Sequence, residues 1–160
     1  MGNFLFWRQR AGVACQHAII ADAKRDFHAI VKPEFARQYW GHENVSDWKP
    51  GSTWEHREAE SGMVRIVGKV VESDPPKRLV ITWASPADAA NASAYSRVTF
   101  ELEPIDEMVK LTVTHDQLVA GSDMEKGVTS GWPRVLSSLK TFLETGKPLP
   151  IWSKPKVQQG

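Results

Sequence analysis

A chain of 160 residues has the size of one domain, large enough to bury roughly 70% of the surface that its unfolded form exposes. Twenty basic side chains against nineteen acidic ones, a net charge of +1, set up no field that would gather nucleic acid or an anionic membrane surface, and neither is expected as a partner. A lone Cys15 excludes an internal disulfide and fits a reducing compartment, Phe4-Leu5-Phe6-Trp7 is too short for a signal-peptide core, and no apolar run approaches the roughly 18 residues of a membrane span, so the expected location is the cytoplasm.

In chain order, Gly12 to Ile20 reads as a first strand, and Asp22 then caps a short helix with Phe27, Ile30 and Val31 on one side. Pro33, tolerated in a first helical turn, opens a second short helix whose Phe35, Tyr39 and Trp40 share a face. Asp47-Trp48-Lys49-Pro50-Gly51-Ser52 is a turn. Strands follow at Thr53 to Ala59, Met63 to Ser73, Leu79 to Ala84, Ala94 to Pro104 and Val109 to Leu118, and their short connections favour antiparallel hairpins because a parallel crossover needs a dozen or more residues. Lys24-Arg25-Asp26 and the Glu101/Glu103 pair read as solvated faces, the latter opposite Phe100 and Leu102. Val128, Trp132, Val135, Leu136, Leu139, Phe142 and Leu143 recur at helical spacing up to Thr145-Gly146-Lys147-Pro148. Ser122-x-x-Glu125 has capping-box spacing, which favours one long helix from Ser122 with a bend near Gly131 to Pro133 over a shorter helix that starts near Gly131. The order strand, two helices, five or six strands, long helix is an α+β architecture in which an antiparallel sheet grips the final helix.

Several segments together carry a family likeness: Pro33-Glu34-Phe35 with Arg37-Gln38-Tyr39-Trp40, Ser46 to Ser52, Asp74-Pro75-Pro76 with Leu79, Leu111 to His115, Gly131-Trp132 with Leu136 to Lys140, and Leu143 to Pro150. The chain so resembles the single-domain proteins related to the C-terminal domain of the Aha-type activator of the heat-shock chaperone ATPase, within the START-like (helix-grip, SRPBCC) superfamily. That resemblance implies a curved antiparallel sheet wrapped around the C-terminal helix with a cavity between them, while length predicts one domain over residues 1–150 and the Lys, Pro and Gln of Ile151 to Gly160 predict a frayed tail over 151–160. The resemblance also implies a chaperone as one partner, while the additional N-terminal domain of the eukaryotic activators is not expected here.

The candidate site is aromatic and imidazole-bearing: Trp40, Trp54, His56, Trp83, His115 and Trp132. Strand alternation puts Trp54 and His56 on one face and continues Val109, Leu111 and Val113 with His115, so two imidazoles are expected to face an apolar cavity. Glu58 falls on the same face and is the available carboxylate for orienting an imidazole, although a place in water at the strand end suits it better. His17, His28, His42, His56 and His115 show no ligand spacing, and no glycine-rich phosphate loop is present, so no metal and no cofactor is expected. Cys15 reads as a structural thiol. The expected function is non-catalytic binding of a small hydrophobic or aromatic molecule by a monomer or homodimer. The alternatives are an enzyme of the polyketide-cyclase or hydrolase kind using His56 or His115 as acid or base, and a chaperone-activator-like interaction domain.

Overall fold

The computed structural model describes residues 10–19 and 22–152. The start of the chain and residues 153–160, where most of the expected tail falls, lie outside the described residues, as does Ile20 of the expected first strand. The elements are β1 (Arg10–Ile19), α1 (Ala23–Val31), α2 (Pro33–Tyr39), β2 (His42–Ser46), β3 (Thr53–Glu58), β4 (Val64–Asp74), β5 (Arg78–Trp83), β6 (Ser96–Ile105), β7 (Met108–Val119) and α3 (Asp123–Thr145). The strands form one seven-stranded sheet in the order β1-β7-β6-β5-β4-β3-β2, antiparallel throughout. Only the β7–β1 neighbour relation joins strands distant in sequence. The sheet is curved, α1 and α2 follow the first strand, and the long C-terminal α3 is gripped by the concave face.

Period-two alternation accounts for the buried face: Val98, Phe100 and Leu102 on β6 and Val109, Leu111, Val113 and His115 on β7 turn inward. Three irregularities adjust it, one of them at Val71 on β4 opposite β5. On β7 an extra residue opposite Gly12, with Gln117 at φ 59°, restores Leu118 to the core after His115. On β4 opposite β3 the extra residue is Arg65, between Ile66 paired with His56 and Val64 paired with Arg57. The strand β2 is absent from the sequence expectation. Its inward residue is Asn44, so its alternation carries no apolar signal, yet Asn44 is buried and its amide donates to the Ile30 carbonyl at 2.9 Å.

The helices are fixed by identifiable groups. Asp22 accepts from the Arg25 N–H at 2.8 Å and starts α1. Tyr39 then ties α2 to α1 by donating to the Ala29 carbonyl at 2.8 Å. Asp26 departs from its solvated reading: it precedes Phe27 and lies one turn before Ile30, on the apolar face of α1, and it is fully buried. Glu101 and Glu103 are exposed, as read.

The final helix is the long form. Ser122 Oγ accepts from the Glu125 N–H at 3.2 Å, and the Glu125 carboxylate returns to the Gly121 N–H at 3.1 Å, one residue beyond the usual reciprocal partner of a capping box. From there 23 residues are helical through Pro133, whose ring faces solvent, to Gly146 at φ 78°. Trp132, Leu136, Leu139 and Leu143 are buried against the sheet. Lys140 donates to the Ala18 carbonyl at 2.7 Å and Arg25 to the Leu143 carbonyl at 2.9 Å, which pins the C-terminal half of α3 against β1 and α1. Beyond Gly146 the chain doubles back along α3, where the Leu149 N–H reaches Ser138 Oγ at 3.0 Å. Among the described residues no helix is long and apolar enough to cross a membrane.

Candidate functional site

With its C-terminal half held on β1, α3 leaves a cavity of about 420 Å³ between its N-terminal half and the β2–β5 side of the sheet. Trp40, His56, Ile66, Trp83, Met124, Val128, Trp132 and Val135 form its walls. His42, Arg65, Asp123, Gly127, Gly131 and Trp152 complete the lining, and of these Arg65, Asp123, Gly127 and Trp152 are exposed and mark the mouth.

Of the six residues singled out from the sequence, the structure brings Trp40, His56, Trp83 and Trp132 onto this wall. Their rings touch one another: Trp40 lies 4.6 Å from His56 and 5.5 Å from Trp132, and Trp83 lies 5.8 Å from both His56 and Trp132 between ring centroids. Trp54 and His115 do not line it. The Trp54 indole crosses β4 at Gly68 and donates to the Thr82 carbonyl at 2.7 Å, inserting into the ladder between β4 and β5, where Lys69 N–H bonds Thr82 Oγ1 instead of a backbone carbonyl. His115 is covered by Trp132.

The polar groups behind the wall form two hydrogen-bonded chains. In the first, the Trp132 indole N–H donates to His115 Nδ1 at 3.1 Å, so the proton of a neutral His115 sits on Nε2 and is given to Ser96 Oγ at 2.8 Å, and Ser96 donates in turn to the Trp83 carbonyl at 3.1 Å. Burial lowers the His115 pKa to about 4, with Asp116 opposing, so the ring stays neutral and acts as a structural strut between two cavity tryptophans. In the second, His56 Nδ1 lies 2.7 Å from Asn44 Oδ1. Burial, reinforced by the ring of His42 stacked at 4.6 Å, lowers the His56 pKa to about 3.

Glu58 does not orient His56. It accepts from Arg65 at 2.6 and 3.0 Å across the β4 bulge, and hydrogen bonds from Arg65 and then Ser61 lower its pKa. The bulge therefore aims a guanidinium at the cavity mouth rather than a carboxylate at the imidazole. Cys15 is half-buried on β1 and desolvation raises its thiol pKa, which suits an inert side chain.

Several lining residues escaped the sequence reading. His42 and Asn44 lie on β2, whose His42-x-Asn44-x-Ser46 alternation between Gly41 and the Asp47 turn was the available signal. Trp152 falls within the stretch expected to fray, yet its indole donates to the Trp40 carbonyl at 2.8 Å and meets the His42 ring edge-on. Met124 receives the Trp83 N–H on its sulfur at 3.3 Å. Outside the mouth, a broader surface depression of about 1350 Å³ shares Trp40, His42, Arg65 and Trp152 with the cavity and adds Arg37, Glu58, Glu60 and Leu149. Among the described residues no group of three or more His, Cys, Asp or Glu side chains is arranged to hold a metal ion.

The fold recurs widely. The Aha1 dimer from Colwellia psychrerythraea, solved in solution, superposes with a TM-score of 0.72 at 22% identity, covering 86% of this chain and 98% of that one. CalU16 from Micromonospora echinospora gives 0.67 at 20% identity over 87% of this chain and 77% of that one. Protein ChR145 from Cytophaga hutchinsonii gives 0.67 at 26% identity over 85% and 95%. Among curated proteins, none matches the sequence. The family described as "Activator of Hsp90 ATPase homolog 1-like protein" matches residues 21–144, most of the chain, from α1 into the last turn of α3. The chain therefore belongs to the Activator of Hsp90 ATPase homolog 1-like family of the START-like (SRPBCC) superfamily.

Proposed function

We propose that the protein is a non-catalytic, cytoplasmic module that binds one small hydrophobic or aromatic molecule in the cavity between the sheet and α3. The observation that carries this reading is the wall itself: about 420 Å³ bounded by indole faces, Met124, Val128 and Val135, a size and composition typical of small-molecule sites. The acid–base alternative draws less support. Both ring nitrogens of His115 are already bonded, and a His56 held near 3 is a poor base at neutral pH. A chaperone partner rests on the family description and on the printed name of the Aha1 neighbour, and homodimerisation on that neighbour's being a dimer.

Gly131 supplies a clean test. A Cβ at this helical position meets nothing within 4 Å, and the residue lines the cavity, so Gly131→Leu is expected to fill the site without a clash. It should also stabilise α3 by up to about 1 kcal/mol through helix propensity. The expected outcome is saturable binding of N-phenyl-1-naphthylamine, read by energy transfer from tryptophan, that is lost in Gly131→Leu while the melting temperature holds or rises. Binding of equal strength in the two proteins would place the ligand elsewhere and leave the interaction-domain reading in its stead.

A further inference from the structure

We propose that the cavity selects an apolar molecule bearing a hydroxyl or N–H donor, such as a phenol, and that this donor docks on Nε2 of His56. The proposal rests on the binding-module reading and specifies its ligand class.

The orientation of Asn44 is fixed because its Nδ2 donates to the Ile30 carbonyl at 2.9 Å, which turns Oδ1 toward His56 Nδ1 at 2.7 Å. A carbonyl oxygen only accepts, so the proton of His56 is on Nδ1. Desolvation keeps the ring from taking a second proton at neutral pH. The remaining nitrogen, Nε2, therefore presents a bare lone pair. Among the described residues nothing donates to it. Nor is it one of the sealed atoms without a partner, which belong to His17 and Asp26, so on a 4% exposed residue that lines the cavity this nitrogen meets the cavity space.

Three of the four indole donors that line the cavity are committed elsewhere, and among the described residues only that of Trp40 has no partner. The indole N–H of Trp83 goes to Met124, that of Trp132 to His115 and that of Trp152 to the Trp40 carbonyl, which also takes His42 Nδ1–H at 3.2 Å. At His56 the apolar wall thus offers a ligand an acceptor, and of the lining indoles only Trp40 keeps an unbonded N–H among the described residues. A ligand donor satisfies the lone pair, an ether or ketone leaves it unmatched, and a carboxylate sets lone pairs against it, so discrimination follows from the cost of an unpaired buried polar atom.

The test titrates 1-naphthol, 1-methoxynaphthalene and 1-naphthoate into the full chain, read by tryptophan quenching. The expected result is 1-naphthol binding at least about tenfold more tightly than either analogue. His56→Phe should erase that preference while retaining 1-methoxynaphthalene. Because this substitution also removes the Asn44 bond, nitrogen NMR of the unaltered protein provides a second reading: Nε2 should resonate as a non-protonated nitrogen and move upfield with 1-naphthol but not with its methyl ether. Equal affinity for these two probes, or an Nε2 that is protonated in the free protein or unmoved by 1-naphthol, overturns the proposal. If both probes bind equally and Gly131→Leu abolishes both, only donor selection fails. If none of the three probes binds, the cavity reading falls and takes the proposal with it.

Discussion

Gly68 has no room for a methyl group. A Cβ there would stand 1.9 Å from the Thr82 carbonyl oxygen and 2.4 Å from the Trp54 indole nitrogen, the two atoms whose hydrogen bond ties β3 to β5 across β4 at this point. Neither can retreat, the first being backbone and the second part of a fully buried ring, so Gly68→Ala is expected to destabilise by about 1–3 kcal/mol, read as a lowered denaturation midpoint. Unchanged stability would mean that the indole swings away at little cost. Asp26 is the opposite case, a side chain that fits but is poorly solvated. Both its oxygens are sealed without partners, and desolvation, then Asp22, raise its pKa from 3.8 to about 7 against the opposing pull of Arg25. The folded state then binds a proton that the unfolded state has lost, so Asp26 takes stability away progressively as pH rises from about 4 to 7. Asp26→Asn should match the parent protein near pH 4 and exceed it above pH 7, by at most roughly 4 kcal/mol, in urea titrations at the two pH values. A constant difference across that range would show that Asp26 titrates normally.

Element by element, legibility followed apolar contrast. The final helix was readable because its stripe, its Ser122 cap and its Gly146 stop all agree, and Leu139, almost fully buried in that stripe, should cost about 2–5 kcal/mol when cut to Ala. A midpoint unaffected by Leu139→Ala would remove α3 from the core. The strands from β3 to β7 alternate visibly and were placed to within a residue or two at most ends. By contrast β2 buries a polar Asn44, which no hydropathy pattern reports, and with it went His42 and the partner that sets the His56 tautomer. Trp152 was hidden for a similar reason: the composition around it is that of a tail, and only its bond to the Trp40 carbonyl shows that it belongs to the cavity mouth. Side-chain direction was the other illegible quantity. Alternation put Trp54 and His115 on the correct face of the sheet but could not reveal that Gly68 and Trp132 would take them off the cavity wall.

For the molecule as a whole, buried titrating groups pull stability in opposite directions. His56 and His115, lowered by burial to about 3 and about 4, leave the folded state short of protons that the unfolded state takes up below about 6.5, so their share of stability is present above that pH and lost on acidification. Asp26 acts in the reverse sense over much of the same range. These groups together leave about one net proton between roughly pH 4 and 6.5, a slope of about 1.4 kcal/mol per pH unit rising with pH. Asp26→Asn should steepen that slope, and a slope left unchanged by the substitution would show that the acid and the imidazoles do not titrate independently.

The position of α3 after all seven strands has a consequence for biosynthesis. A ribosome releases β1 early, yet its sheet neighbour β7 and the helix that covers the concave face arrive about a hundred residues later. At synthesis rates of roughly 5–20 residues per second, the apolar side of the growing sheet waits several seconds before its cover exists. Truncations that remove Asp123 to Thr145 are therefore expected to accumulate as aggregates rather than as smaller folded domains.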